Sequence, residues 1–223
     1  MGQVIGDLLP LALGVAISPI PIIATILMLL APRAGGASAG YLLGWVAGIV
    51  VVTTVFTAIA STSTVSGTTS STPPTSYVKV GLGVLLLLLA ARQWRGRPAD
   101  GQSAELPRWM SAIDSVTFPK AVGLGFLLSG VNPKNLLLCA AAGTVIGGSA
   151  VSDGDRVLAV AVFTVLAACT VAVPVIAYAV ARDRMRKPLD ELKVWLQANN
   201  ATVMAVLLLV MGVVVIGKGI GGF

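Results

Sequence analysis

Asn132-Pro133-Lys134-Asn135 is the stretch on which the fold turns, because it lies near the middle of an otherwise apolar run from Ala121 to Ile146. At 1.5 Å per residue that run is about 39 Å long as a helix, enough to cross a hydrocarbon layer of about 30 Å. Proline has no amide hydrogen and its ring clashes with the preceding turn, so Pro133 predicts a break or kink inside the span. A lysine at that depth costs about 2.5–3.5 kcal/mol, and from the midpoint its side chain has no interface within reach. Lys134 therefore needs a partner. The first half offers no carboxylate inside a predicted span, only Asp7 at its outer end. The candidates are carbonyls of another broken helix, Ser18, Ser129, Asn132, Asn135, or an anionic group on a transported molecule.

Outward from this stretch, further apolar runs predict spans at Leu8–Leu30, Tyr41–Ala60, Tyr77–Ala91, Val157–Ala181 and Ala201–Gly217, making six with Ala121–Ile146. The third and sixth are short and must borrow flanking residues. The whole chain agrees with this reading: of 223 residues 56% are apolar and 11% charged, with a mean hydropathy of +0.93. That charged share is about half the usual one, so soluble enzymes are excluded and an all-α membrane protein is expected. Zero histidines remove imidazole metal sites and the commonest general base, so no metal, cofactor or catalytic residue is expected. The two cysteines, Cys139 and Cys169, sit in apolar runs and read as buried small hydrophobes. The first run reads as a retained span, since its leader carries Asp7 and no basic residue.

Basic residues orient the spans, because connections rich in Lys and Arg stay cytoplasmic. Arg33 follows the first span, Arg92, Arg95, Arg97, Arg108 and Lys120 the third, and Arg182, Arg184, Arg186, Lys187 and Lys193 the fifth. Lys79, Arg156 and Lys218 fall on the other side, so both termini are expected to be extracytoplasmic in a bacterial inner membrane. The net charge of +6 then answers to topology and anionic headgroups, with no nucleic acid. Ser61 to Ser76, rich in Ser and Thr around Pro73-Pro74, predicts a flexible external loop. Leu106, Trp109, Met110, Ile113 and Val116 recur at helical spacing and predict a short interfacial helix, and Leu189 to Gln197 with Trp195 a second surface segment.

The chain also resembles itself. Setting residue i against i + 111 matches Leu13, Gly14 and Ser18 with Leu124, Gly125 and Ser129, and one inserted residue brings Pro21 onto Pro133. Each half then reads as a Pro-interrupted span, with Pro19 and Pro21 breaking the first, followed by a second span and a short third. Three spans per half is odd, so the second half enters from the opposite side, an inverted repeat of the secondary-transporter kind. The halves are 1–115, with the cytoplasmic connection, and 116–223. Pro174 predicts a further kink in the fifth span. Gly36, Gly40, Gly44 and Gly48, four apart, suit close helix contact, either internal or across a homodimer. Gly212 to Lys218 mimics a nucleotide-binding loop, but Gly219 replaces the metal-holding hydroxyl and the run is a membrane helix.

Pro19-Ile20-Pro21 in the first span and Asn132-Pro133-Lys134 in the fourth resemble the LysE superfamily of six-span exporters, which usually carry Pro-Gly-Pro and Asn-Pro-Lys there. Length, the basic third connection and the Ser/Thr-rich external loop look most like its actinobacterial branch, the peptidoglycolipid and sulfolipid addressing proteins. The resemblance implies export or surface delivery of an envelope lipid, beside a larger lipid pump of the MmpL type. Ile20 departs from the Gly of the amino-acid exporters. The sites to watch are Ser18, Pro19, Pro21, Ser129, Asn132, Pro133, Lys134 and Asn135. Three functions remain open: export of an amphiphilic or anionic envelope lipid, export of an amino acid or other small solute, and a non-transporting scaffold for a lipid pump.

Overall fold

The computed structural model describes residues 1–31, 34–65, 73–96 and 116–220, and every regular element among them is helical. In chain order these are α1 (Gly2–Ala16), α2 (Pro19–Leu30), α3 (Ala34–Val65), α4 (Pro73–Arg95), α5 (Phe118–Phe126), α6 (Pro133–Gly147), α7 (Asp153–Val180) and α8 (Arg182–Ile220). A π-helical turn, Leu127–Val131, continues α5 up to the break before α6. Three helices, Ala34–Thr62, Asp153–Val180 and Arg182–Gly217, are long and apolar enough to cross a membrane singly. The pairs α1–α2 and α5–α6 are bent by 55° and 64°, and counting each as one broken span gives five. Large aliphatic side chains such as Leu43, Leu88, Val165 and Val180 face outward, as lipid requires of a multi-pass membrane protein.

Packing is crossed between the two halves of the chain. α5, the π turn and α6 lie on α3; α1 lies on α7 and α6, α2 against α8, α3 and α7, and α4 runs along α8. The α3 face repeats every four residues, with Tyr41, Trp45 and Ile49 fully buried. Beside that stripe, Gly44 and Gly125 let backbone meet backbone: a Cβ on Gly44 would overlap the Val122 carbonyl, and one on Gly125 the Tyr41 carbonyl. Gly40 and Gly48 are similarly enclosed, by Phe118 and Ser129, while Gly36 meets nothing. The glycine stripe is thus used for internal packing at three of its four positions, the small-residue contact that substitutes for hydrophobic drive within lipid.

Several expectations change. The break in the first span opens at Ile17–Ser18, and Pro19 becomes the first residue of α2, so Pro19 and not Pro21 holds the position that Pro133 holds in α6. Proline fits there because a helix's first amide is unpaired in any case and its fixed φ suits the start. Pro174 lies inside α7, which is one helix from Asp153 to Val180. Leu189 to Gln197 is no separate surface segment but part of α8, and the short sixth span is its continuation. Leu189 and Leu196, seven apart, are both buried, as are Leu207 and Met211 further on, so a continuous helix keeps one apolar face against the bundle. Of the loop expected at Ser61–Ser76, residues 61–65 are helical in α3 and 73–76 in α4, and residues 66–72 lie outside the described residues. Ser61 and Thr62 donate to the Ala58 and Ile59 carbonyls at 2.8 Å, so their hydroxyls are met within the helix.

Arg33, Arg97, Arg108, the boundary at 115/116 and all of the expected interfacial helix except Val116 lie outside the described residues.

Candidate functional site

The two breaks meet. After Ala16 the chain leaves helical geometry at Ile17, and Ser18 takes extended backbone before Pro19 restarts it. Such a break frees carbonyls that lipid cannot satisfy. The Ala16 carbonyl accepts from the Thr170 hydroxyl of α7 at 2.7 Å and from the Ser18 amide at 2.9 Å. The Ile17 carbonyl accepts from the Lys134 ammonium at 3.3 Å. Lys134, at the start of α6, thus reaches across to the break between α1 and α2.

The α5–α6 break is built differently. Asn132 turns the chain, its side-chain oxygen accepting from the Lys134 amide at 3.1 Å as an N-cap. Its own amide closes the π turn onto the Leu127 carbonyl at 2.9 Å, one residue wider than an α-helical bond. That widening frees the Leu128 carbonyl, which the buried Asn135 amide meets at 2.9 Å. The Asn135 side-chain oxygen is buried with no partner. Pro133 is exposed, and Asn132 and Lys134 are half-buried.

Residues 8–221 match the family model described as Sap, sulfolipid-1-addressing protein, a match that takes in both breaks. The chain belongs to that family. No curated protein and no solved structure matches it. For a sulfolipid-1-addressing family member, the membrane-crossing helices and the lipid-related family description agree.

Within this family member the sequence-selected residues separate into two groups. Lys134 reaches the Ile17 carbonyl, with Asn132 and Pro133 beside Lys134 in the chain and Ser18 and Pro19 beside Ile17. Ser129 faces elsewhere: its hydroxyl donates back to the Gly125 carbonyl at 2.9 Å and packs against Gly48 of α3. Pro21 is buried, and its carbonyl accepts from Thr25 at 2.9 Å and from the Tyr41 hydroxyl at 3.4 Å, tying α2 to α3. The Ser18 side chain is buried and makes no capping bond. Sequence reasoning missed Thr170. Its signal was a hydroxyl four residues before Pro174 in an apolar helix, but nothing local pointed it at Ala16, 154 positions away.

Lys134 makes no ion pair with any carboxylate among the described residues; its ammonium is held by a single neutral carbonyl. A carbonyl leaves most of that charge uncompensated. An ammonium forms stronger hydrogen bonds with an anionic oxygen than with a neutral carbonyl.

Proposed function

We propose that this protein is a bacterial inner-membrane exporter that delivers an amphiphilic or anionic envelope lipid toward the cell surface, with no enzymatic step and no cofactor. Its six spans form two inverted three-helix repeats, α4 supplying the third span, with both termini extracytoplasmic. The exchange of partners supports the repeat: each broken span packs on the middle helix of the other half, and the two third helices pack on each other. Cys probes at Ser152 and Lys187, in a chain lacking Cys139 and Cys169, test the orientation. An impermeant thiol reagent should label the first and spare the second in intact cells.

The observation that carries the function is the uncompensated Lys134 ammonium at the meeting of the two breaks. A lipid headgroup entering there displaces the Ile17 carbonyl, and release of that contact frees the α1–α2 break to rearrange. With no nucleotide-binding loop, energy comes from an ion gradient or from a larger lipid pump working beside it. The decisive measurement is surface lipid delivery in a deletion strain, normalised to protein in the membrane, for wild type, Lys134→Met and Lys134→Arg. Loss in the Met variant with partial activity in Arg fits an anionic headgroup, because a guanidinium still binds sulfate or phosphate. Loss in both points to proton coupling at Lys134, since Arg does not release a proton at accessible pH. Full delivery by Lys134→Met would overturn the proposal and favour a scaffold.

A further inference from the structure

A furrow of about 570 Å³ lies between α1 and α8, lined by Leu13, Gly14 and Ile17 on one side and by α8 residues from Trp195 to Val214 on the other. The α4–α8 contact shows what a closed contact looks like in the same helix: a Cβ on Gly83 would come within 2.9 Å of the Gly212 carbonyl. α1 and α8 do not close in this way. Apart from Asn199 and Thr202, the α8 wall is apolar, and Leu13, Val206 and Val210 are about half exposed along it. From Trp195 to Val214 the helix rises about 28 Å, close to the thickness of the hydrocarbon layer. The volume lies in the range of about 300–1,000 Å³ typical of ligand pockets.

Two contacts bring Lys134 up against residues that line this furrow, although it is not itself part of the lining. Ile17, which lines it, accepts the Lys134 hydrogen bond. Leu138, one turn after Lys134 on the same face of α6, approaches Gly14 so closely that a Cβ there would lie 2.9 Å from its Cδ1. A hydrocarbon furrow with one uncompensated cation bonded to a residue of its lining is complementary to one kind of molecule. We propose that the furrow seats the acyl chain of a bilayer-borne anionic lipid whose headgroup is met by Lys134. This rests on the exporter reading for its meaning, but not for its test.

The test uses the full chain in zwitterionic vesicles doped with a lipid whose acyl chain carries a diazirine, in two versions, one with a sulfate headgroup and one with phosphocholine. After photolysis the labelled residues are mapped by mass spectrometry. The sulfate probe should label residues 203–214 and 9–17 in preference to the exposed leucines of α4, Leu85 and Leu88. Val206→Trp and, independently, Val210→Trp should abolish that preference by filling the furrow. Lys134→Met should lower the sulfate-over-phosphocholine ratio in the furrow about tenfold, the loss expected for one charge-assisted contact. Equal labelling of the furrow and α4, or a sulfate preference that survives Lys134→Met, overturns the proposal. Surface delivery by the same variants is read separately, so a furrow that binds lipid while its Trp variants export normally refutes only its place on the export route.

Discussion

At the α5–α6 break the freed backbone groups are met by side chains two and seven residues away, whereas at the α1–α2 break they are met by Thr170 and Lys134, 154 and 117 positions away. The second break therefore forms with its own helix. The first is complete only once the second half of the chain has packed against it, and its geometry lasts only while those donors stay in place. Loss of the Lys134 side-chain bond removes a contact at the first break and none at the second. The same contrast runs through the packing: the second broken span meets α3 backbone to backbone through Gly44 and Gly125, while Gly14 of the first meets only the tips of Leu138 and Met211.

The largest expected effect tests that packing contrast. Gly44→Ala puts a Cβ into the Val122 carbonyl, with Phe126 N at 2.9 Å behind it, so nothing but backbone can yield. Gly14→Ala meets the Leu138 Cδ1, which can rotate away. The first should cost about 3 kcal/mol or more and the second less than about 1 kcal/mol, read as thermal unfolding in detergent and as protein level in the membrane. Similar losses would show that both broken spans are held with equal rigidity.

Next comes the polar support of each break. Asn135→Leu keeps the volume but leaves the Leu128 carbonyl unpaired in the interior, and should cost about 1–3 kcal/mol. Ser18→Ala, at the corresponding turn of the first half, removes a hydroxyl with no capping bond and should change stability by less than about 0.5 kcal/mol. If Ser18→Ala were the more costly of the two, the first break would have local support after all.

What could be read from the sequence follows the same division. Asn132-Pro133-Lys134-Asn135 announced a break because cap, proline and amide are neighbours in the chain. The membrane class and the positions of the apolar runs were equally open to view, since apolar length is a local property. In the first half Pro19 and Pro21 both point to a break, and the alignment of Ser18 with Ser129 pairs Pro21, rather than Pro19, with Pro133. The caps match Ser18 with Asn132 instead, three residues further on, because the second half continues past Ser129 through the π turn. No composition or spacing rule announces a π turn. Thr170 stayed hidden for the reason that separates the breaks: its partner is set by how the halves pack. The continuity of α8 was masked by Pro188 and a charged stretch, though Leu189 and Leu196 carried its buried face all along.

A smaller effect addresses the long-range support. Thr170→Val deletes the 2.7 Å bond to Ala16 and keeps the shape of the side chain. Hydrogen bonds between helices in membranes average about 0.6 kcal/mol, with a maximum near 1.7 kcal/mol, and this one should lie in the upper part of that range because the freed carbonyl keeps only the Ser18 amide. Amide exchange at Ile17 and Ser18 should rise in the variant, while exchange at Asn135 and Leu136 should not change. A rise at both breaks would deny their independence.

The smallest effect is the coupling between the two distant donors. Lys134→Met loses the 3.3 Å bond to Ile17 but also removes a half-buried charge within a membrane span, where insertion costs up to about 2.5–3.5 kcal/mol, so its stability should match or exceed wild type. Combined with Thr170→Val the result should not be the sum. Ala16 and Ile17 are adjacent carbonyls of one break, and either donor alone still fixes it; removing both frees the turn, so the double variant should lose about 0.5 kcal/mol more than the single changes add up to. A cycle of Lys134→Met with Ser18→Ala should be additive, because the Ser18 hydroxyl caps nothing. Strict additivity for Thr170 and Lys134 would mean that the two donors support separate features, and that displacing Lys134 with a headgroup does not loosen the first break.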